Sequence, residues 1–417
     1  MQQNKLPHIT QYSIATFARP VNFQCTEDET WSLVPPRRYI MTAKQLTSLS
    51  DHIEAISDFE GSAYHTRLMA GKNITGAKIL VERNRERGIG DLLFLTGVFN
   101  YLHHVSGGNI KIFPYVYSDR GQVLRHHPCL HLGTALCGPI CYDDLPLYDY
   151  HWFIPSVTEC DEERDQLNVY DSLYKQLGFA PADIDPRFKR PSMHLVPDDL
   201  RHLDQFFYMV WMQRSVDLRR VPYYLVAPFS NASLRSMNYS TWIDIIKGLA
   251  ARRPVLVTGL MTGNMPFTDM SAGEFNSQLN RLGPNVINAL DATRNVRVLT
   301  GLISKAVAVV CVDSGPLYIA QAVRTPAVSI WGTHDPRVRI GYDPDYLDLA
   351  VFQHEACHAA PCYAYSAFPT HKCPRGDNQS VCEVMLAVDP ATIIEKIEMI
   401  ESSNNVLGTF SPKAPSP

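Results

Sequence analysis

Apolar and polar positions divide this chain into two stretches with the same rhythm. AKILVER (residues 77–83) has the character of a buried strand, and LLFLTGVFNYLHHV (92–105) repeats apolar side chains at helical spacing. Gly88 and Gly90 fall between them in a strand-to-helix turn, and Asp91 falls in the first turn of the predicted helix. KIFPYVY (111–117) follows as a strand, then a loop-rich zone with HHPCLHLGTALCGPIC, then a helix over 165–177. The rhythm resumes near residue 222. YYLVAP (223–228), PVLVTG (254–259), NVINAL (285–290), AVAVVCVDSG (306–315) and AVSIWG (327–332) read as strands. Helices over 240–251, 272–282, 295–305 and 316–323 alternate with them.

Strands alternating with helices imply a parallel sheet covered on both faces. Two such series imply an α/β chain with two Rossmann-like, doubly wound domains. Ligands of these folds bind beyond the carboxyl ends of the strands. GIGD and VDSG lie at such ends, one in each series, so a cleft between facing domains is the expected site. The first domain is placed at 73–218 and the second at 219–404. Residues 1–72 lack the rhythm and form an N-terminal extension, with extended SLVPPRRYIM (32–41) and a predicted helix over AKQLTSLSDHIEAISDF (43–59). Residues 351–385 form a Cys-rich finger, ATIIEKIEMI (391–400) a last helix, and 405–417 a disordered tail.

Composition adds bounds. The chain has 417 residues, 45% hydrophobic and 19% charged, as expected of a globular protein with large cores. A formal charge of −4 gives no global sign of nucleic-acid or membrane binding. The sequence shows no signal peptide and no apolar run that spans a bilayer, so a cytoplasmic protein is expected. Its ten cysteines are then read as thiols or metal ligands rather than disulfides.

Candidate chemistry starts at Asp91. Glycines permit a tight turn and close approach of a ligand. Free N–H groups at a helix start favour negative charge by about 0.3–1 kcal/mol. Taken alone, Asp91 reads first as an ordinary first-turn acid. Asp313, Ser314 and Gly315 form a second turn of this kind, opening helix 316–323, and taken alone it reads equally as an ordinary turn or as an anion site. Cys357, Cys362, Cys373 and Cys382 fall within 26 residues, spaced more loosely than a C-x2-C knuckle. They read as a metal cluster or as packed free thiols. HHPCLH (126–131), Cys137 and Cys141 lack a clear ligand face and read as loop packing.

RGIGDLLFLTGVFNYL, followed downstream by TGLISKAVAVVCVDSGPLYIAQAVRTPAVSIWGTHDP, resembles glycosyltransferase family 9, the heptosyltransferase-like group with the two-domain GT-B fold. The resemblance covers residues 75–400. It implies an inverting transferase using a nucleotide-diphosphate sugar, with no cofactor for transfer, an acceptor-side first domain and a nucleotide-sugar-binding second domain. It implies that Asp91 is the general base, with Gly88, Gly90 and Arg87 in the acceptor loop. It implies that Asp313, Ser314 and Gly315 meet the diphosphate. Ser230 and Arg235 in APFSNASLRSMNYSTW, and Thr333 and His334, are further donor-side candidates. Arg83, Arg85 and Arg87 read either as anion binders or as a solvated edge. The family often carries His three residues after the glycine, where this chain has Tyr318. Some relatives have a four-cysteine iron finger near this point, which implies a structural iron or zinc on Cys357, Cys362, Cys373 and Cys382.

Two other classes stay open at this stage. One is a non-catalytic nucleotide-sugar or glycan-binding protein, the other a GT-B sugar-nucleotide epimerase. For a transferase the acceptor is a lipopolysaccharide core sugar, a protein hydroxyl or a hydroxymethylated DNA base. Arg37, Arg38 and Lys44, which make the extension locally basic, are the only feature that suggests DNA.

Overall fold

The computed structural model describes residues 12–17, 21–24, 30–33, 37–42, 46, 51, 53–58, 69–83, 88–116, 119–136, 140–154, 167–230, 232–260, 269–364, 373–375 and 382–406. They form two units, one ending at His194 and one beginning at Leu195.

The first unit holds a parallel sheet of three strands, β7-β6-β9, with β6 (Lys78–Arg83) between β7 (Lys111–Val116) and β9 (Tyr150–Ile154). The next described element after β6 is the helix Ile89–Val105, whose apolar residues Leu92, Leu93, Phe94, Leu95, Val98 and Phe99 are buried. Gly97 lets this helix be crossed closely: a Cβ there would stand 2.5 Å from the Phe188 carbonyl oxygen.

Within the predicted helix 43–59, residues 53–58 are a strand instead, Leu46 is helical, and 43–45, 47–50, 52 and 59 lie outside the described residues. β1 (Tyr12–Phe17) pairs antiparallel with β4 (Arg38–Thr42) and β5 (Ile53–Asp58), and β8 (Ile140–Cys141) adds to β4. Residues 53–58 carry helical spacing, but pairing with β1 decides their state, as tertiary context commonly overrides propensity. A separate hairpin joins β2 (Val21–Gln24) to β3 (Thr30–Leu33). Ile40, Leu80, Ile140 and Leu145 form one small core that ties the extension to the parallel sheet.

The second unit is a six-stranded parallel sheet in the order β12-β11-β10-β13-β14-β15. Its strands are β10 (Tyr224–Ala227), β11 (Val255–Gly259), β12 (Val286–Leu290), β13 (Ala308–Val312), β14 (Ala327–Ile330) and β15 (Ala350–Val351). Strand order reverses between β10 and β13, the point at which doubly wound sheets open a crevice. The helices Tyr239–Ala250, Ala272–Arg281, Val296–Lys305, Gly315–Val323 and Pro390–Val406 belong to this unit.

The helix Pro197–Arg214 has no counterpart in the sequence reading. Its signals are local: Pro197 at the first position, Asp198 and Asp199 in the first turn, and a left-handed Ser215 closing it. Asp199 caps the helix from Val196 N–H at 3.0 Å and also accepts from Arg297 Nε at 3.1 Å and Nη2 at 2.5 Å. Both side chains are buried, so either one alone would leave an uncompensated charge. Arg297→Ala is expected to lower unfolding stability by about 3–5 kcal/mol in urea titrations. A loss below 1 kcal/mol would show that the pair does not fix this helix.

Candidate functional site

In the first unit, Gly88 is the N-cap of the helix Ile89–Val105 that follows β6 in the chain. Gly88 has φ −47° and ψ 153°, which any residue can adopt, so its backbone does not demand glycine. What the missing side chain leaves is room, since a Cβ there would meet only the Gly90 nitrogen at 3.9 Å. Asp91 is half-buried at the third helical position, and its N–H donates to the Gly88 carbonyl at 3.1 Å. Arg85 and Arg87 lie outside the described residues, as does the side chain of Arg83.

In the second unit the residues gather at the β10–β13 switch point. Beyond β10 the chain makes a turn, Ser233–Arg235, and beyond β13 it runs through Asp313 and Ser314 into the helix Gly315–Val323. Arg235 Nη1 donates to the Asp313 carbonyl at 3.0 Å and to its Oδ2 at 3.3 Å. Tyr318 donates its hydroxyl to Asp313 Oδ1 at 2.6 Å. Asp313 is buried, while the Arg235 side chain stays 24% exposed. Burial pushes the Asp313 carboxyl up, but Arg235, His334, Arg339 and the Tyr318 hydroxyl outweigh it and hold it below the ordinary value. Burial first, then the Asp313 charge, keeps the Tyr318 phenol well above its ordinary value. Ser314 Oγ donates to the Val312 carbonyl at 3.2 Å, and Ser230 is buried with its Oγ accepting from Ala232 N–H at 3.3 Å.

Thr333 and His334 follow β14 and are both buried, with Thr333 Oγ1 2.8 Å from His334 Nδ1. The Thr333 carbonyl accepts from Cys362 N–H at 3.1 Å and Tyr363 N–H at 2.8 Å, so it anchors the cysteine loop. Tyr318 as the partner of Asp313 escaped the sequence reading, which weighed position 318 only for phosphate contact. Arg339, on the short helix Arg337–Ile340, was missed because nothing local links it to Asp313.

Cys357, Cys362, Cys373 and Cys382 line one pocket, together with Leu234, Gly332 and Thr333. Burial pushes the Cys382 thiol up, opposed by the N–H groups of Met385 and Val384 that face its sulfur. Cys362 is likewise raised by burial and opposed by Ala364 N–H. Amides aimed at sulfur from two or three residues onward suit a thiolate that ligates a metal. The donor set therefore fits a closed thiolate site in kind. As the side chains stand, no three His, Cys, Asp or Glu groups among the described residues converge to hold an ion.

In HHPCLH the inner residues His127, Cys129 and Leu130 are buried, while His126 and His131 are exposed. His127 is buried against Phe99 and His194, accepts from Cys129 N–H at Nδ1 (3.3 Å), and lies 3.2 Å from Ser192 Oγ at Nε2. Burial, then His194 and His103, pushes its pKa down to about 3. Cys141 is a buried residue of β8, and Cys137 lies outside the described residues. The basic patch of the extension is matched by acids: Arg38 donates to Asp143 at 2.7–2.9 Å, and Arg37 pairs with Asp144. Lys44 lies outside the described residues.

Residues 274–363, which include the Asp313 turn and Thr333, match the sequence profile of glycosyltransferase family 9 (heptosyltransferase). The chain is a glycosyltransferase, and over this stretch it is similar to family 9. No curated protein matches it in sequence. Solved structures support the GT-B fold. A family 9 glycosyl transferase from Veillonella parvula DSM 2008 aligns at TM-score 0.53 and 10% identity, over 80% of this chain and 99% of that one. The E. coli ADP-heptose lps heptosyltransferase II aligns at 0.53 and 12%, over 78% and 99%. TibC of enterotoxigenic E. coli H10407, described as an iron-containing dodecameric glycosyltransferase, aligns at 0.54 and 14%, over 95% and 92%. Among the described residues of this glycosyltransferase, no helix is long and apolar enough to cross a membrane.

The depressed Asp313 carboxyl has a consequence for stability. Its contribution is complete above about pH 4, where an unfolded aspartate is ionised, and is lost as pH falls through the lower folded value. Asp313→Asn should lose stability less steeply than wild type between about pH 4 and pH 2. Parallel acid limbs in urea midpoints for the two proteins would contradict this.

Proposed function

We propose that this glycosyltransferase moves a sugar with inversion from a nucleotide-diphosphate donor to an acceptor hydroxyl, with Asp91 as general base. The observation that carries the reading is the Asp313–Arg235 pair at the switch point of the sheet, with Asp313 inside the family-matched stretch. In this reaction the acceptor oxygen bonds to the anomeric carbon while the bond from that carbon to the phosphate oxygen breaks. The acceptor proton passes to Asp91, a step typically worth about 10²–10⁴-fold. The diphosphate leaves with its negative charge. Ser314 and Gly315, at the start of the helix Gly315–Val323, and the guanidinium of Arg235 are suited to receive it.

The ADP-heptose named for similar structures makes an ADP-sugar the first donor to try. The acceptor is a glycan or protein hydroxyl. A modified DNA base has lost its support, because Arg37 and Arg38 are paired with Asp144 and Asp143. A second part of the proposal is that Cys357, Cys362, Cys373 and Cys382 hold a structural iron or zinc. Their shared pocket and the amides facing Cys362 and Cys382 support this. Such an ion would organise the finger and take no part in transfer.

Nucleoside-diphosphate release from ADP-, GDP-, UDP- and CMP-type sugars tests the reaction. One donor should be turned over by wild type, and Asp91→Ala should lower that rate by about 100-fold or more while leaving donor affinity nearly intact. Undiminished turnover in the variant would remove Asp91 as base. Elemental analysis of protein purified without chelators should find one iron or zinc per chain, lost in Cys382→Ser. Finding neither metal in wild type would end the proposal for the finger.

A further inference from the structure

We propose that Tyr318 is a positioning residue for donor recognition, acting through Asp313 on Arg235. The inference rests on the donor site proposed above. Two side chains share one buried aspartate, and they divide its acceptor atoms. Tyr318 takes Oδ1 at 2.6 Å, while Arg235 takes Oδ2 at 3.3 Å and the backbone carbonyl of the same residue at 3.0 Å. A carboxylate held at one oxygen by a phenol cannot rotate without breaking both contacts. Its other oxygen therefore faces Arg235 in a fixed direction, and a guanidinium bonded to both carbonyl and carboxylate is fixed in turn.

Position matters as much as contact. Tyr318 is only 5% exposed and stands on the helix whose first residues are Gly315 and Pro316. The anchor and the helix start that would meet the diphosphate are thus one rigid element. Tyr318 occupies the place where the resembled family often has His, and here that side chain turns inward to Asp313. A phenol well above its ordinary pKa donates throughout the neutral range, whereas a histidine would titrate there. The other charged or titratable groups acting on Asp313 are Arg235, His334 and Arg339, and Cys311 feels its charge.

The test is a double-mutant cycle read by calorimetric titration of ADP, GDP, UDP and CDP into wild type, Tyr318→Phe, Arg235→Ala and the double variant. Tyr318→Phe should weaken the best-bound nucleotide about 10-fold, the scale of a hydrogen bond to a charged group. Arg235→Ala should weaken it at least as much, and the double variant no further, because Tyr318 acts only through Arg235. The matching nucleoside without phosphates should bind wild type and Tyr318→Phe alike. Unchanged nucleotide affinity in Tyr318→Phe, or additive losses in the double variant, would overturn the positioning role alone. Failure of wild type to bind any of the four nucleotides would overturn the donor site and this inference with it. If Tyr318→Phe melts below the assay temperature, Asp313→Asn replaces it in the cycle with the same expected non-additivity.

Discussion

The site in the second unit depends on one buried negative charge. Asp313 stands at the end of β13, where the strand order reverses, and an isolated carboxylate there would be protonated rather than ionised. It remains an anion because an arginine from the turn after β10 and a hydroxyl from the following helix converge on it. That convergence joins the end of β13 and the helix directly after it to a turn that lies 78 residues earlier in the chain. A neutral side chain in its place would remove the charged half of the ion pair with Arg235.

Much of the second unit was legible from the sequence. VLVTG, VINAL, AVVCV and AVSI are apolar runs flanked by turn residues, and the strands fall within three residues of where the pattern puts them. The Asp313 turn was legible too, because a strand ending in small polar residues before a helix is a local signal. The partners of Asp313 were not. The Tyr318 hydroxyl and the Arg339 charge reach it through tertiary placement, which spacing does not encode. The apolar face of Pro197–Arg214 also passed unread, since Phe206, Phe207 and Val210 sit among exposed Tyr208, Met209, Trp211 and Met212 and blur its period.

The first unit was read less well, for a related reason. The segment 53–58 has helical periodicity but is a strand, because β1 offers it a partner more than thirty residues away. The basic look of Arg37 and Arg38 was similarly an artefact of reading one strand alone. Asp143 and Asp144, a hundred residues on, cancel those charges.

Gly332 brings the Asp313–Arg235 turn and the cysteine pocket of the second unit into one wall. A Cβ at this position would lie 2.8 Å from the Leu234 carbonyl oxygen and 2.9 Å from Met385, so the end of β14, the turn carrying Arg235 and the segment after Cys382 must pack without a side chain between them. Leu234 and Gly332 also line the cysteine pocket. The finger is therefore not a detachable ornament. A shortened or grafted version would have to rebuild the packing beside the turn that carries Arg235, so the cysteine loop and that turn share one wall.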